Sequence, residues 1–544
     1  MRLFKTAIRE IPENMKSVLW VNTITALSTT AFIGIVPAAT REAAGGRVSL
    51  RMLLLFAIVV VVLHFTQIYT LVTASRDTER LIHKLRIRIF DLVRRSDLVT
   101  IDRIGRANLQ SVLTQEMQVL AEVLPMIVVG SQHAIILVFL AIYLAWLSPI
   151  ACLLAFGLAG LTVVVRLKRT NELRTFMQSS AAAEGRIFDG LTELLDGFKE
   201  VRMDGPRAEE LTDALAESSL AARQANATLK ARWGWNYALI ESMLYSLAGL
   251  MVFVVPLFAA GFYEVAMQAT FAVLFISGPV STVSFVTPLA AQAEMALETI
   301  ETMQDQLRAA ANAADAEATG ALEGPPSSIA LRDANLAYRD SEGASLFTVG
   351  PARAEFHAGQ VTFITGGNGS GKSSLLRMLT GLIPLDSGAI LADGRPVEKE
   401  QMQDYRDRIS AIFSDFHLSR RLYSLDDPDQ AATENLLERF EMLDKVQLRN
   451  GAFTSTDLSS GQRKRLALIV AELEDKPVIV LDEWAADQDP HFRRFFYEEI
   501  LPDLKTRGKI IICVTHDDRW FHLADRVYRM FEGRIEEMNG KETV

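Results

Sequence analysis

The stretch GGNGSGKS, residues 366–373, carries the strongest chemical signal in the sequence. It fits the pattern G-x-x-x-x-G-K-[ST] and stands between a strand-like run and the helix-like run SSLLRMLTGL. Glycines in such a turn expose backbone amides to phosphate oxygens, and the dipole of the following helix favours negative charge. We expect Lys372 to reach the β- and γ-phosphates of ATP and Ser373 to ligate Mg²⁺. The predicted nucleotide-binding residues of this loop are Gly366, Gly367, Asn368, Gly369, Ser370, Gly371, Lys372, Ser373 and Ser374.

A second chemical signal is VIVLDE, residues 478–483, in which four apolar residues precede two carboxylates. The pattern predicts a buried strand whose end carries Asp482 and Glu483. Asp482 would hold the metal ion through water, and Glu483 would polarise the attacking water as general base. His516, in VTHDD after another apolar run, is placed to contact the γ-phosphate. Taken singly, the acidic strand end is also typical of solvated surface, and the histidine of a structural role.

The second half of the chain has the pattern of a scaffold that would bring these residues together. Short β-like runs, GQVTFITG, PVIVLDE and KIIICVTHD, alternate with helical stretches. This alternation is typical of a parallel α/β domain, which we assign to residues 329–544. The alanine-rich segment before it ends in Gly-Pro-Pro-Ser-Ser, so residues 305–328 are predicted to form a linker, or a frayed helix followed by a breaker.

The first half contains six apolar runs, most of which approach the roughly 20 residues that a helix needs to cross a bilayer core. The fourth is short, but only Leu147, Ser148 and Pro149 separate it from the third, which predicts a tight hairpin at one membrane face. A buried soluble helix could account for one such run but not for six. We therefore predict that residues 1–304 form an α-helical six-span transmembrane domain surrounded by membrane lipid. The runs are 17–39, 52–74, 124–146, 150–165, 235–260 and 268–290.

The distribution of lysine and arginine predicts the orientation in the membrane. Segments 75–123 and 168–232 contain nine and ten of these residues, respectively. The connections on the opposite side contain only three in total, and all three lie in the first of those loops. This bias places both rich segments and both termini in the cytoplasm. The helical periodicity of the rich segments predicts rods that extend past the membrane and turn near 97–107 and 195–205. Simple solvated stalks remain an alternative for them.

The bulk composition excludes some classes of function. The formal net charge of −10 disfavours a broad nucleic-acid-binding surface, so no nucleic-acid partner is expected. The two cysteines, Cys152 and Cys513, lie in apolar runs, a position typical of buried thiols rather than of a disulfide framework.

The motif LSSGQ, residues 458–462, resembles the signature sequence of ABC transporters. The ordered set is more specific than any of its members: it comprises Tyr338, the 366–373 loop, 458–462, Asp482–Glu483, Asp489 and His516. Six spans before one such domain make the whole chain similar to an ABC exporter half-transporter, with a transmembrane domain followed by an α/β P-loop nucleotide-binding domain. The runs FSDFHL, 413–418, and LDEWAADQDPHFRRFFYEEILPDLK, 481–505, further resemble the bacterial cyclic-peptide and siderophore exporters.

The resemblance implies that a second copy of the chain completes each ATP site. ATP would lie between the 366–373 loop of one copy and the signature residues of the other, with a hydroxyl and bared backbone at a helix start facing the γ-phosphate. Tyr338 would stack on adenine, although an aromatic residue there also suits a core. Asp489 would lie in the contact between the two domains. The signature residues assigned to nucleotide binding are Ser459, Ser460, Gly461 and Gln462.

The sequence departs from the family pattern at two positions. Ser460 occupies the place of the first of two glycines in the signature. Ser414 stands where most family members have a glutamine that ligates Mg²⁺. A hydroxyl of Ser414 or a carboxylate of the adjacent Asp415 suits a hard cation, so we expect one of them to replace that glutamine.

Glu241 lies within a predicted span, where an ionisable group is expensive and faces a cavity or a partner. Tyr237 and Tyr245 share its helix face at four-residue spacing. An aromatic face with one carboxylate would suit a bulky amphipathic or cationic cargo. Helix packing around a hydrogen-bonded glutamate is the alternative, and the sequence favours it because that face shows no second charge.

These patterns together predict an ATP-driven, homodimeric exporter in a bacterial inner membrane. The subfamily resemblance implies a peptide-like cargo, such as a cyclic peptide, a siderophore or its precursor. An importer or a lipid flippase on the same fold, and a regulatory scaffold that transports nothing, remain alternatives. Glu483 and the intact phosphate loop argue against the scaffold, because a module that does not hydrolyse ATP need not keep a base.

Overall fold

A computed structural model of the 544-residue chain divides into two compact units. The first comprises Met1–Ile89 and Ala107–Met303, and the second comprises Phe90–Arg106 and Gln304–Val544. The second unit therefore includes a short segment from within the helical half of the sequence. The structure describes residues 12–45, 49–253, 263–315, 321–339, 344–423, 425 and 429–538.

Long helices form the first unit. The 46 residues of Leu50–Arg95 span roughly 70 Å at about 1.5 Å per residue, more than twice the hydrocarbon thickness of a bilayer. A helix of this length is what the predicted continuation past the membrane requires. In chain order the helices are α1 Pro12–Ala44, α2 Leu50–Arg95, α3 Leu98–Ile104, α4 Arg106–Ser111, α5 Met117–Leu147, α6 Pro149–Asp196, α7 Phe198–Met203, α8 Gly205–Phe253 and α9 Tyr263–Asp315, with a π-helical turn at Val112–Glu116.

Five helical stretches within the described residues are long and apolar enough to cross a membrane. They coincide with five of the six predicted spans, although residues 254–260 of the fifth predicted span lie outside the described part of the chain. The fourth predicted span, 150–165, falls on helix α6, where many side chains from residue 158 onward are also outside it. The five stretches are Lys16–Ala43, Leu50–Arg95, Arg106–Leu147, Gly205–Phe253 and Gln268–Ala311.

Each of the two predicted cytoplasmic turns contains a short helix. Helix α3 begins after Asp97, whose carboxylate accepts a hydrogen bond from the Thr100 backbone at 2.8 Å, and it ends at Gly105. Helix α7 follows Gly197, where the long helix α6 stops. Leu98 and Val99 of α3 pack against apolar residues of the second unit, to which α3 belongs. The predicted positions of both turns are confirmed.

The second unit contains a six-stranded, mostly parallel sheet and a four-stranded antiparallel sheet. The parallel strands confirm the predicted α/β domain, whereas the antiparallel sheet was not predicted. The six strands are ordered β12-β11-β3-β10-β9-β6, the four strands β2-β1-β4-β5, and β7 pairs with β8. The strands are β1 Ser328–Arg339, β2 Ser345–His357, β3 Gln360–Gly366, β4 Ser387–Ala392, β5 Arg395–Pro396, β6 Ile409–Ile412, β7 Leu448–Arg449, β8 Ala452–Phe453, β9 Val478–Asp482, β10 Ile510–Val514, β11 Arg526–Phe531 and β12 Arg534–Glu537.

Both faces of the six-stranded sheet are covered, which explains why its strands are almost continuously apolar. Phe363 and Cys513 contribute to the core on one face, and the neighbouring Ile364 and Val514 contribute to the core on the other. Complete burial raises the pKa of the Cys513 thiol to about 12, as expected for a structural thiol. Cys152 is half-buried rather than buried, and both cysteines are free. The helices of this unit are α10 Lys372–Leu379, α11 Met402–Asp407, α12 Gln430–Arg439, α13 Ser460–Glu474, α14 Pro490–Phe495 and α15 Leu501–Thr506.

Trp484 fixes the turn that follows β9. Its ring is fully buried and stacks on Phe496 with ring centroids 4.5 Å apart. Its indole N–H donates to the backbone oxygen of Lys464 in helix α13 at 2.8 Å. The residue immediately after Glu483 is therefore anchored in the core, and this anchor joins the acidic strand end to α13.

We predict that Trp484→Ala lowers the free energy of unfolding by about 3–5 kcal/mol, because it leaves a large cavity and removes the indole hydrogen bond to Lys464. Thermal unfolding of the purified full-length chain should show a melting temperature lower by roughly 6–20 °C. Trp484→Phe keeps an aromatic ring and should lower the free energy of unfolding much less. Equal losses in the two variants would show that the ring does not make the main contribution.

Candidate ATP and metal site

The phosphate loop connects the end of β3 to the start of α10, as the sequence predicts. Two of its glycines are required by the backbone. Gly366 has a φ of 152°, and a Cβ there would lie 2.3 Å from the Met530 backbone oxygen. Gly371 has a φ of 103° and would meet Val349 at 3.1 Å. Side chains at these two positions would distort the loop, which explains the glycine spacing.

The Lys372 side chain lies along this loop and is only 6% exposed. Its ammonium group donates to the backbone oxygens of Gly366 and Gly367 at 3.0 and 3.1 Å. It also lies 3.7 Å from a carboxylate oxygen of Glu483. A positive charge is therefore held inside the turn whose backbone suits phosphate, where it can neutralise a phosphate oxygen.

The oxygen atoms suited to a magnesium ion converge on Asp482. The Ser373 hydroxyl donates to its carboxylate at 2.9 Å, and the backbone and side chain of Ser414 lie close enough to stabilise the charged form of that carboxylate. Burial raises the pKa of Asp482, although Ser373 and Ser414 oppose the rise. A divalent cation would offset the cost of burying this carboxylate, and hydroxyl and carboxylate oxygens are the ligands that it prefers. The site therefore fits Mg²⁺, with Ser373, Asp482 and Ser414 as the groups that would hold it.

Asp415, the other candidate replacement for the glutamine, is placed differently. Its side chain is 71% exposed and lies 3.4 Å from the Arg377 guanidinium. The structure thus brings Ser414, but not Asp415, to the carboxylate of Asp482. Within the described residues, no group of three or more His, Cys, Asp or Glu side chains is arranged to hold a metal ion. A cation at Asp482 would accordingly depend on hydroxyl ligands and on oxygens of the nucleotide.

Glu483 adopts a left-handed backbone conformation with a φ of 49°. Its carboxylate lies 3.0 Å from the Nε2 atom of His516 and faces Lys372 across the mouth of the phosphate loop. Since a carboxylate only accepts hydrogen bonds, Nε2 of His516 is the donor. The Glu483 side chain is 36% exposed, so that water can reach it. The structure therefore brings together Lys372, Glu483 and His516 as the sequence predicts.

Tyr338, on β1, donates from its hydroxyl to the Ser374 hydroxyl at 3.1 Å, beside the first turn of α10. The ring also packs against the adjacent core, so that the two interpretations of this aromatic residue are compatible. Its location next to the phosphate loop is the one that the predicted contact with adenine requires.

The signature residues form the start of helix α13. Ser459 and Gln462 make a reciprocal capping box: the Ser459 hydroxyl accepts from the Gln462 backbone, and the Gln462 side chain accepts from the Ser459 backbone. The Ser460 hydroxyl donates to the Asp487 carboxylate at 2.8 Å. Gly461 is closely packed, since a Cβ there would lie 2.6 Å from the Asp487 backbone oxygen. Ser459 and Ser460 are exposed, as a surface that meets another chain would require.

Asp489 caps helix α14 through the Phe492 backbone at 2.9 Å and pairs with Arg465 of α13. The bond to Phe492 and the Arg465 charge hold the pKa of Asp489 below its usual range. Sequence reasoning missed Arg465, Lys464 and Asp487, which join α13 to the turn after β9. Two basic residues, Lys464 and Arg465, directly before the apolar run LALIV, residues 466–470, were the available signal for this contact.

Glu241 lies within hydrogen-bonding reach of both Tyr237 and Tyr245 on helix α8. The two tyrosine side chains are otherwise exposed. The carboxylate therefore has donors on its own helix, as the interpretation of a hydrogen-bonded structural glutamate requires.

The chain is similar in sequence and in fold to known ABC transporter proteins. A sequence model of the ABC transporter family matches residues 350–486. The ATP-binding protein SyrD of Pseudomonas syringae pv. syringae is 35% identical over 476 residues, which cover 84% of this chain and 82% of SyrD. The energy-coupling factor transporter ATP-binding protein EcfA1 of Streptococcus thermophilus is 27% identical over 214 residues, covering 38% of this chain and 78% of EcfA1. In fold, the chain is similar to a bacterial Atm1-family ABC exporter solved with ATP bound, with a TM-score of 0.74, 16% identity, and coverage of 97% and 95% of the two chains.

We predict that Ser414→Ala raises the Mg²⁺ concentration needed for half-maximal ATP hydrolysis by about 10- to 100-fold, because an oxygen next to Asp482 is lost. Asp415→Ala, the matched control, should change it little. Titration of hydrolysis with Mg²⁺ at fixed ATP measures both effects. A larger rise in the required Mg²⁺ concentration for Asp415→Ala than for Ser414→Ala would assign the metal contact to Asp415. An unchanged Mg²⁺ requirement in both variants would exclude both residues as ligands.

Proposed function

The chain belongs to the ABC transporter family, and on that premise we propose that two copies form an exporter of a peptide-like secondary metabolite. ATP hydrolysis coupled to transport follows from the family. The proposal adds the homodimer, the direction and the cargo class. The observation that carries it is the cluster of Lys372, Glu483 and His516 at the phosphate loop, in a chain whose apolar helices can cross a membrane.

Glu483 is the proposed general base for hydrolysis. Its carboxylate is accessible to water and accepts a hydrogen bond from His516, which fixes its direction. The nearby Lys372 ammonium stabilises the negative charge that develops on the transferred phosphoryl group. His516 can direct the same N–H to the γ-phosphate once the nucleotide is in place. Mg²⁺, held by Ser373, Asp482 and Ser414, would supply further neutralisation of phosphate charge.

A second copy is proposed because the signature residues, which would complete the ATP site, lie at an exposed helix start of the same chain and not on its own phosphate loop. The start of α13 is exposed at Ser459 and Ser460, and its first backbone N–H groups are those of a 15-residue helix. Such a helix start attracts a phosphate. The hydrogen bonds of Ser459 and Ser460 go to their own helix and to Asp487. We infer that these residues contact the γ-phosphate of ATP held on the loop of the partner copy.

The helical connections support coupling of hydrolysis to the spans. Helix α3 packs with the nucleotide-binding unit through Leu98 and Val99, yet only two residues separate it from the long helix α2 and one residue separates it from α4. A shift of that unit therefore acts on the ends of α2 and α4. In the proposed cycle, ATP closes the two nucleotide-binding units on each other, and hydrolysis releases them.

The cargo and the location rest on the sequence. The runs 413–418 and 481–505 resemble those of cyclic-peptide and siderophore exporters, and SyrD, described as an ATP-binding protein, is similar over both units. We propose a cyclic peptide, a siderophore or its precursor as cargo. The charge bias of the connections supports a multi-pass protein of the bacterial inner membrane with both termini in the cytoplasm.

We predict that cells lacking the gene retain a peptide-like product inside and lose it from the medium, since no other step of its synthesis is affected. Mass spectrometry of cell extracts and supernatants identifies the compound. Cells that carry the Glu483→Gln variant should behave like cells without the gene.

Inside-out vesicles then determine the direction of transport. Uptake of the identified compound that depends on ATP supports export. ATP-dependent release from preloaded vesicles would show import, and movement of lipid without the compound would show a flippase. The proposed transport role would be contradicted if the peptide-like products were the same with and without the gene and if vesicles containing the protein moved none of them with ATP.

A further inference from the structure

Lys464, two residues after the signature motif, has an arrangement that binding of ATP does not explain. Its side chain is 6% exposed. The ammonium donates to the backbone oxygen of Glu483 at 2.7 Å and pairs with the Asp487 carboxylate at 2.9 Å. Lysines are almost never buried unless they are paired, so both contacts are needed to hold this charge in place.

The contact with Glu483 is made to the backbone that carries the proposed catalytic carboxylate. The backbone of Glu483 is left-handed, a conformation that a residue with a side chain keeps only when its surroundings impose it. Its N–H donates to the Val514 backbone oxygen at 3.1 Å, and its carbonyl accepts from the Lys464 ammonium at 2.7 Å and from the Ala486 backbone at 3.4 Å. With both peptide groups fixed, the side chain projects towards Lys372 and His516.

Asp487 extends this arrangement to the helix start. Its carboxylate accepts from both the Lys464 ammonium and the Ser460 hydroxyl. The Trp484 indole returns a bond to the Lys464 backbone oxygen. Gly461 is packed against the Asp487 backbone, so that the helix start and this turn cannot slide past each other without disturbing the contact. One carboxylate thus connects the proposed γ-phosphate-binding end of α13 with the backbone of the base.

We propose that Lys464, held by Asp487, is the positioning residue for Glu483. Its ammonium keeps the left-handed backbone of Glu483 in the orientation that directs the carboxylate at the attacking water. The Ser460 hydroxyl has one proton and donates it to Asp487. When that proton turns to a phosphate of the partner's ATP, Asp487 interacts with Lys464 alone. Binding of the α13 start to the partner's ATP thereby affects the position of Glu483, the base at the chain's own ATP site. This inference rests on the proposed role of Glu483.

The test is steady-state ATP hydrolysis by the purified full-length Lys464→Met variant, which keeps the length of the side chain but has no donor. We expect kcat to fall about 10- to 100-fold, because a misplaced catalytic group costs that much. KM for ATP and the affinity for a fluorescent ATP analogue should stay within about twofold, since Lys464 does not touch the loop. Asp487→Asn, which keeps the lysine in place, should lower kcat in the same direction by a smaller factor.

Lys509 offers a matched control at the other end of α13. It is similarly buried and donates to both the backbone oxygen and the carboxylate of Asp475, which also has a left-handed φ of 48°. Lys509→Met should lower the melting temperature as Lys464→Met does and leave kcat unchanged. Equal falls in kcat for the two variants, or an unchanged kcat in Lys464→Met, would overturn the proposal.

Glu483→Gln separates this inference from the function on which it rests. A loss of hydrolysis in Glu483→Gln with normal hydrolysis in Lys464→Met would overturn the positioning role alone. Hydrolysis retained by Glu483→Gln would overturn the assignment of the base and the positioning role with it. If Lys464→Met does not fold, Asp487→Asn decides: a lowered kcat with unchanged KM supports the proposal, and wild-type kcat contradicts it.

Discussion

The parallel pairing of β10 with β3 and β9 is the constraint on which the rest of the site depends. Val514 lies in register with Ile364 on one side and with Asp482 on the other. The turns that follow these strands therefore leave the sheet at the same edge. One supplies the phosphate loop and Lys372, the second supplies Glu483 directly after the strand residue Asp482, and the third supplies His516. Because the strands are buried on both faces, their polar chemistry is confined to this edge.

Charge placement at this edge separates two tasks. Asp482 is desolvated and surrounded by hydroxyl groups, an environment that calls for a cation. Glu483 is reached by water and is held between Lys372 and His516, an environment that suits transfer of a proton. Two adjacent carboxylates thus acquire different roles because the strand ends between them: Asp482 is its last residue, and Glu483 has turned into the left-handed region.

Much of this site could be predicted from the sequence because its chemistry lies at strand ends, where apolar runs give way to glycines and acids. Strand β1 was harder to predict, because register shifts interrupt the alternation of apolar and polar residues by which a half-buried strand is recognised. Ser414 and Asp415 could not be separated, because both carry suitable oxygens and only their placement differs. Lys464 resembles any lysine of a solvated helix until the turn after β9 is seen to cover it. The sequence likewise could not show that 90–106 groups with the nucleotide-binding unit, because that depends on contacts of Leu98 and Val99.

In the proposed dimer, ATP joins the nucleotide-binding units of two copies through the loop of one and the α13 start of the other. The most direct measurement is the distance between spin labels at Glu434→Cys in the two copies of a Cys152→Ser, Glu483→Gln chain, recorded by pulsed electron spin resonance with and without ATP and Mg²⁺. We expect saturating ATP to shorten this distance and to leave a single narrow population of distances. A distance unchanged by bound ATP would contradict the proposed dimer.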